Sequence, residues 1–256
     1  MSEPRYGPER QRYIADVVRR SGRAEVAALA RELGVTPETV RKDLAVLERE
    51  GLIRRVHGGA IALDGGPIEP RLAERSELAE EKDRIAAAAV AQLGDARSVF
   101  IEAGTTTERT AALLPPDREL VVVTNTPAVA VALAPRRELT VLCVGGRVRA
   151  TTLAAVDDWA LRLLAEVHVD VALLGTNGLS RAGGLTTPDP SESAVKRATL
   201  SIARRTLLLA DRTKVGRADL CRYGELDDAD LLLTDAGVDD DAVAELTDAG
   251  LAVTRV

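Results

Sequence analysis

One short stretch, residues 36–51 (TPETVRKDLAVLEREG), limits the possible folds of this chain more than any other. Thr36 suits a helix N-cap, Pro37 suits the first turn and Gly51 suits a stop, so the stretch predicts one helix. Its apolar residues recur at helical spacing and form one buried stripe: Val40, Leu44 and Leu47. The polar side chains fall beside or opposite that stripe: Thr39, Arg41, Lys42 and Asp43.

A second short amphipathic helix precedes this one and ends at Gly34. Its apolar residues again share one face: Val26, Leu29, Ala30 and Leu33. Only Val35 separates Gly34 from the Thr36 cap, and two helices joined this tightly predict a helix-turn-helix. The alternative is a generic helical hairpin with a solvated charged face.

The next residues favour DNA binding, because they predict a β-hairpin that serves as a wing. Residues 52–56 and 60–63 are the two strands, and residues 57–59 (HGG) are the turn. In a winged helix-turn-helix the helix contacts base edges and the wing contacts phosphates or the minor groove. The predicted DNA contacts are therefore Thr36, Glu38, Thr39, Arg41 and Lys42 on the helix, and Arg54, Arg55 and His57 on the wing.

The run VTPETVRKDLAVLEREGLIRRVHGGA resembles the N-terminal signature of the DeoR family of bacterial transcriptional repressors. Residues 9–60 fit that family without a gap. Its usual pair of arginines before Asp-Leu stands here as Arg41-Lys42, and lysine lacks the fork that lets arginine bind guanine with two bonds. The resemblance implies a DNA-binding repressor.

The charge of the chain is divided between its two parts. The net charge is −6, but residues 1–63 carry 12 Lys and Arg against 9 Asp and Glu, or +3, which leaves −9 for the remainder. So small a positive charge gives weak DNA affinity to a single copy, so we expect a homo-oligomer, a dimer or tetramer. No secretory signal or apolar run of about 18 residues is visible, so we expect a cytoplasmic protein without membrane contact.

Cysteine and histidine offer little chemistry in this chain. Cys143 and Cys221 lie far apart without Cys-x-x-Cys spacing, and we expect both to be buried as small hydrophobic residues. The two histidines are His57 and His168. We therefore predict no metal site, no cofactor and no catalytic triad.

Beyond a Gly/Pro linker at residues 64–70, short β-branched runs alternate with helical segments. We predict a DNA-binding domain at 1–63, a linker and the start of a linking helix at 64–84, and an effector-sensing domain at 85–256. Strands that are apolar on both faces predict an α/β domain with a mainly parallel sheet. The predicted strands are 99–101, 120–123, 141–144, 169–174, 207–209, 231–233 and 252–253.

Ligands of parallel sheets gather at the carboxyl ends of the strands, and polar residues follow these strands. The turn Gly104–Thr106 has backbone N–H groups at a helix start that suit a phosphate, although an ordinary capped turn is the alternative. The candidate effector-binding residues are Glu102, Gly104, Thr105, Thr106, Thr107, Thr124, Asn125, Arg147, Arg149, Gly175, Asn177, Asp189, Glu192, Lys196, Asp211 and Lys214.

Lysine is scarce, with 4 residues against 30 arginines, so a lysine that is present suggests a need for an ammonium group. Lys214, beside Asp211 at a strand end, is predicted to be functional, whereas a surface lysine is the favoured interpretation of Lys82. Glu192 and Lys196 are four residues apart, which leaves an exposed helical ion pair as the alternative to a role in binding.

The segments EAGTTT, TNT, GGRVR, LLGTNGL, GLTTPDPSE with AVK, and ADRTKVG resemble, in this order, the sensor domain of the DeoR family. That domain is similar in fold to ribose-5-phosphate isomerase, which implies a phosphorylated sugar or polyol as effector. Carried onto this chain, the resemblance implies that the turn at Gly104 to Thr106 holds the phosphate. The further contacts that it implies are Asn125, Arg149, Asp189, Glu192 and Lys214.

These observations predict a repressor of a carbohydrate-metabolism operon that binds double-stranded operator DNA and is released by its effector. One alternative is a sugar-phosphate isomerase-like enzyme fused to a DNA-binding domain. A DNA-binding architectural protein is a third possibility, but it leaves the polar strand-end turns without a purpose.

Overall fold

The computed structural model describes residues 6–21, 23–50, 52–56, 58–61, 69–70, 72 and 75–256, without the side chains of Arg19, Arg20, Ser21, Arg23, Arg54 and Ile61. The chain forms two compact units, Met1–Glu69 and Pro70–Val256. The linker predicted at residues 64–70 lies mostly outside the described residues.

The first unit contains three helices and three short strands in its described part. They are α1 (Gly7–Ser21), β1 (Arg23–Glu25), α2 (Val26–Leu33), α3 (Pro37–Arg49), β2 (Arg54–Val56) and β3 (Gly59–Ile61). The predicted winged helix-turn-helix is confirmed, since α2 ends at Gly34, with φ of 64°, and Thr36 caps α3. The apolar stripes of α2 and α3 are buried in one core.

Helix α1 was not predicted, and it changes the environment of α3. Its Ile14 and Val18 join the same core, and its polar side lies against Asp43. Asp43, predicted to lie off the buried stripe, is itself buried. It accepts hydrogen bonds from Arg10 Nε at 2.6 Å and Gln11 Nε2 at 3.0 Å, which compensate the burial of its charge.

The wing is a three-stranded sheet in the order β1-β3-β2, with β1 as a strand that the sequence did not predict. Strands β2 and β3 are antiparallel, with Val56 opposite Gly59. A Cβ atom on Gly59 would lie 2.2 Å from the carbonyl oxygen of Ala24 in β1. Only glycine therefore allows β1 to approach this closely.

The described part of the second unit is built on a seven-stranded parallel sheet, and each strand predicted from the sequence is present. Its first elements are α4 (Ala79–Ala91), β4 (Ser98–Ile101), α5 (Thr105–Ala112), β5 (Leu120–Thr124), α6 (Pro127–Leu133) and β6 (Leu139–Cys143). Next come β7 (Arg147–Val148), β8 (Ala155–Val156), α7 (Asp157–Leu164), β9 (Val169–Gly175), β10 (Gly178–Ser180), β11 (Gly184–Thr187) and α8 (Pro190–Ile202). The last are β12 (Ala203–Leu209), β13 (Cys221–Gly224), β14 (Leu231–Thr234), α9 (Asp240–Asp248) and β15 (Ala252–Arg255).

The large sheet has the order β15-β14-β12-β9-β4-β5-β6. Its two faces bury separate apolar clusters. Leu173 packs with Ile85 of α4 on one face, and Leu174 packs with Leu164 of α7 on the other. Neighbouring residues of one strand thus face opposite cores, which confirms the α/β prediction and explains why these strands are apolar throughout.

Two small antiparallel sheets were not predicted from the sequence. Strands β7 and β8 form one, and β10, β11 and β13 form the other. They follow the carboxyl ends of β6 and β9, so they add strand-held backbone beside the predicted ligand edge. Cys221 in β13 is half-buried and Cys143 is exposed, so the prediction of two buried cysteines is wrong. The reason is that Cys143 lies on β6, whose one neighbour among the described strands is β5.

Candidate functional site

The N-terminal half of α3 presents the side chains predicted to read DNA. The hydroxyl of Thr36 accepts a hydrogen bond from the Thr39 N–H at 3.2 Å, which fixes the start of the helix. Arg41 and Lys42 are both exposed. Arg41 Nη1 lies 3.2 Å from Glu38 Oε2, and this pair is exposed at both ends, so it costs little to displace.

Arg55, predicted to contact DNA from the wing, is bonded to a residue of α3 in this structure. Arg55 donates from its backbone N–H at 2.9 Å and from Nε at 2.6 Å to the Glu48 carboxylate at the end of α3. These bonds lower the pKa of Glu48. Arg55 therefore ties the wing to the reading helix in this structure. His57 and the side chain of Arg54 lie outside the described residues, and their DNA contacts stay predictions.

At the carboxyl edge of the large sheet, the turn after β4 begins helix α5 at Gly104. No side chain of a described residue caps this helix, so the alternative of an ordinary capped turn does not fit the geometry. The Thr107 hydroxyl donates to the Gly104 carbonyl at 2.9 Å and is buried. The first N–H groups of α5 have no acceptor within the helix, so they remain available to an anion.

The buried side chain of Asn125 supports this turn from β5. Its Oδ1 accepts a hydrogen bond from the Ala103 N–H at 3.0 Å. Its amide nitrogen donates to nothing within the described residues, so it can still donate to a ligand. Thr124 fastens β5 to β4 instead, because its hydroxyl donates to the Ile101 carbonyl at 2.7 Å.

A buried ion pair joins Glu102 to Lys196, with 2.6 Å between Oε2 and Nζ. Lys196 also donates to the Gly175 carbonyl at 2.8 Å and lies 5.3 Å from the ring centre of Tyr223. Burial raises the pKa of Glu102 although Lys196 opposes it. For Lys196, burial acts to lower the pKa, but Glu102, Tyr223 and Glu192 together outweigh it and the pKa is raised. The pair is therefore an enclosed element of the site, in which each residue opposes the effect of burial on its partner.

Glu192 does not pair with Lys196, and the alternative of an exposed helical ion pair is wrong because both residues are buried. Its Oε1 lies 2.5 Å from Arg149 Nη1, and Arg149 Nη2 lies 3.2 Å from Asp189 Oδ2. Thr152 also donates to the Glu192 carboxylate. The structure thus brings three predicted residues into one cluster.

Of two other predicted residues, Asn177 lies beside this cluster and Arg147 does not belong to it. Asn177 Oδ1 accepts from the Thr187 hydroxyl at 3.2 Å, and Thr187 also reaches Glu192 at 3.4 Å. Arg147, in contrast, is exposed and pairs with Asp157 at 2.6 Å. Arg147 is therefore held at the surface by a neighbour of its own.

A cationic group lies beside the end of β12. Asp211 is buried and accepts a hydrogen bond from the Thr213 N–H at 3.0 Å. Burial lowers the pKa of the Lys214 ammonium, although Asp211 opposes the shift. Lys214 has no hydrogen-bond or ion-pair partner in the described part of the chain, so its charge is available to an anion.

Lys82 belongs to the same group, and its interpretation as a surface lysine is wrong. It is only 6% exposed, and its Nζ donates to the carbonyls of Glu77 at 2.7 Å and Arg75 at 3.1 Å. Burial lowers its pKa, with Asp211 opposing and Lys214 reinforcing the shift. Lysine scarcity was a signal for Lys82 in the sequence, but a surface position was favoured for it. Thr152 and Tyr223 carried no comparable signal in the sequence.

Within the described residues, no group of histidine, cysteine, aspartate and glutamate side chains is arranged to hold a metal ion. In the same part of the chain, no helix has the length and apolar content needed to cross a bilayer.

A winged helix-turn-helix joined to an α/β unit with a polar strand-end cluster defines a DNA-binding transcriptional regulator that carries a sensor domain. Residues 10–65 match the DeoR-like helix-turn-helix domain, and residues 77–236 match the DeoR C terminal sensor domain. The chain belongs to the DeoR family.

Its relatives include the HTH-type transcriptional regulator GlpR of Haloferax volcanii, 35% identical over 96% of this chain and 96% of that protein. The glycerol-3-phosphate regulon repressor of Escherichia coli K12 is 30% identical over 94% of this chain and 95% of that protein. Relatives named as regulators and repressors make this chain a transcriptional regulator rather than an isomerase-like enzyme.

Among solved structures, ribose 5-phosphate isomerase A of Methanocaldococcus jannaschii matches with a TM-score of 0.39 and 14% identity. The match covers 53% of this chain and 54% of that protein. A likeness this weak says nothing about activity.

Proposed function

We propose that this regulator represses a carbohydrate-metabolism operon and releases operator DNA in the cytoplasm when a phosphorylated sugar or polyol binds its second unit. The observation that carries the proposal is the uncapped start of α5 in the same unit as the cations Lys214 and Lys82. Uncapped N–H groups and an unpaired ammonium are both complementary to a phosphate.

The rest of the strand-end cluster suits a hydroxylated ligand. Carboxylate oxygens of Asp189 and Glu192 accept hydrogen bonds from hydroxyl groups, and the Asn125 amide donates to them. Arg149 pairs with both carboxylates, which keeps them charged and oriented. A phosphate group at one end and several hydroxyls along the molecule are therefore the features that this site recognises.

The names of relatives point in the same direction. One is a glycerol-3-phosphate regulon repressor, and another, 30% identical over 97% of this chain, is a putative aga operon transcriptional repressor from Escherichia coli O157:H7. For release, the effector binds more tightly to the conformation that does not bind operator, with a coupling of about 1–3 kcal/mol. A homo-oligomer presents reading helices to repeated operator half-sites.

A thermal-shift screen of the purified chain tests the proposal, with phosphorylated sugars and polyols set against their unphosphorylated forms. A ligand at about 100 times its Kd stabilises the fold by about 2.7 kcal/mol, which is a shift of several degrees. We expect a hit that requires the phosphate and that releases operator DNA. If only unphosphorylated compounds shift the Tm, the phosphate assignment at α5 is wrong.

Arg41→Ala is expected to weaken operator binding by about 1–3 kcal/mol and to relax base discrimination at one position, because a base-contacting guanidinium is lost. Electrophoretic mobility shifts with operator variants measure both effects. Arg49→Ala, at the far end of the same helix, is the matched control. If Arg41→Ala bound operator like the parent, α3 would not read bases through this residue.

Effector affinity is expected to fall as the pH rises through the lowered pKa of Lys214, at a lower pH than for a lysine with the ordinary value of 10.5. The sign follows because a phosphate binds the protonated ammonium and loses that attraction on deprotonation. Calorimetric titration measures the effector affinity from about pH 7.5 to 10. This range lies above the pKa of the phosphate itself, about 6, so the charge of the phosphate stays constant. Lys214→Arg keeps its charge across this range, so its effector affinity is expected to lose this pH dependence. The same fall in affinity in this variant as in the parent would contradict the assignment.

A further inference from the structure

Strand β6 is an open edge of the large sheet. Its parallel register with β5 turns the backbone groups of Thr140 and Leu142 towards β5, and Val144 N–H reaches the Thr124 carbonyl at 2.7 Å. The N–H and C=O groups of Val141 and Cys143 therefore point outward, and no described residue pairs with them. The strand, LTVLC, has no lysine, proline or bulge, which are the usual protections of an edge.

An exposed apolar surface flanks this edge on the face that α7 covers. Trp159, the one tryptophan of the chain, is 72% exposed, and Leu163 follows it one turn later on α7. Leu163 Cδ1 lies 3.8 Å from the position that a Cβ atom on Gly145 would take, directly after β6. Leu142 and Val148 are exposed as well.

The charges on α7 are complementary to a second copy of the same surface. Asp158 and Arg162 are exposed one turn apart, and neither has an ion-pair partner in the described part of the chain. If two copies met across a two-fold axis at α7, Asp158 of one copy would approach Arg162 of the other, and the reverse. An open β6 edge likewise pairs with itself, because two-fold symmetry makes the two strands antiparallel.

We infer that a second copy of this chain docks here, with its β6 antiparallel to β6 and its α7 against α7. The surface defined by Leu142, Val148, Trp159 and Leu163 becomes the apolar centre of the interface. The outward N–H and C=O groups of Val141 and Cys143 become paired, so the two sensor sheets form one continuous sheet. Each copy brings one reading helix, so the dimer carries two. This interface does not depend on which effector the site binds.

Analytical ultracentrifugation of the full chain tests the interface. Leu142→Lys and Leu163→Glu place a charge at the centre of the surface and are expected to weaken assembly at least 100-fold. Leu220→Lys, at an exposed apolar residue directly before β13 in a different sheet, is the matched control and is expected to assemble like the parent. The inference would be overturned if the parent stayed monomeric at all the concentrations measured. It would also be overturned if the two charged variants assembled like the parent.

Cross-linking provides a measurement that leaves the surface unaltered. Cys221→Ser retains only the edge residue Cys143, and Cys143→Ser retains only Cys221. When β6 pairs antiparallel with β6 of the second copy and the two-fold axis passes between residues 141 and 143, the two Cys143 Cα atoms lie within about 15 Å of each other. A short bis-maleimide is then expected to join two chains of Cys221→Ser and few of Cys143→Ser. Equal yields from the two variants, or no product from Cys221→Ser, would rule out β6 pairing even if the charged variants failed to fold.

Discussion

Replacing Lys196 by Met is expected to lower the free energy of unfolding of the second unit by about 3–5 kcal/mol. The substitution leaves the Glu102 carboxylate buried, with the Gly175 N–H at 2.9 Å as its remaining described hydrogen-bond donor. It also removes the bond from Nζ to the Gly175 carbonyl. Urea unfolding followed by Trp159 fluorescence measures the effect, because this tryptophan lies in the second unit and has no counterpart in the first.

Two companion variants separate the buried charge from general damage. Lys196→Met combined with Glu102→Gln removes both charges and is expected to recover part of the loss. Arg204→Met breaks an ion pair with Asp170 that is 3.7 Å long and exposed at Arg204, and such pairs contribute about 0–1 kcal/mol. All variants are compared at one protein concentration, since assembly changes apparent stability. If Lys196→Met cost no more than Arg204→Met, the pair would not stabilise the unit.

Thr105→Asp is expected to abolish induction while operator binding is retained. A carboxylate at the first position of α5 occupies the place proposed for the phosphate and repels it. At about 4 Å and an effective dielectric constant near 20, two unit charges interact by about 4 kcal/mol, so effector affinity falls at least about 100-fold. The same carboxylate is favourable at a helix N-terminus, by about 0.3–1 kcal/mol, so the fold is preserved.

Thr105→Asn is the matched control, because it has nearly the same shape as the aspartate variant without its charge. We expect the asparagine variant to keep most of its effector affinity and to respond to the effector in an operator-release assay. Retention of normal induction by Thr105→Asp would show that the phosphate binds elsewhere. Loss of operator binding in the same variant would show that the first turn of α5 has a role beyond effector binding.

The amino-acid sequence by itself determined the local elements of this protein. The cap at Thr36, the stripe of α3 and the stop at Gly34 follow from short-range rules, and the structure has them at these positions. The strands of the large sheet were predictable too, because each is a continuous apolar run between turn residues. From the parallel sheet it followed that the polar residues after β4, β5 and β9 share one edge.

Only the tertiary structure decided which of these polar residues are partners. Spacing within α8 offered Glu192 to Lys196, yet Lys196 pairs with Glu102, 94 residues away, and Glu192 pairs with Arg149. The partners of Asp43 lie on α1, and the pKa of Lys82 depends in part on Asp211 and Lys214, which are far from it in the chain. The exposure of Cys143 depends on β6 being the last strand of the sheet. Helical and strand periodicity act over a few residues, whereas burial and ion pairing depend on segments that meet only when the chain is folded.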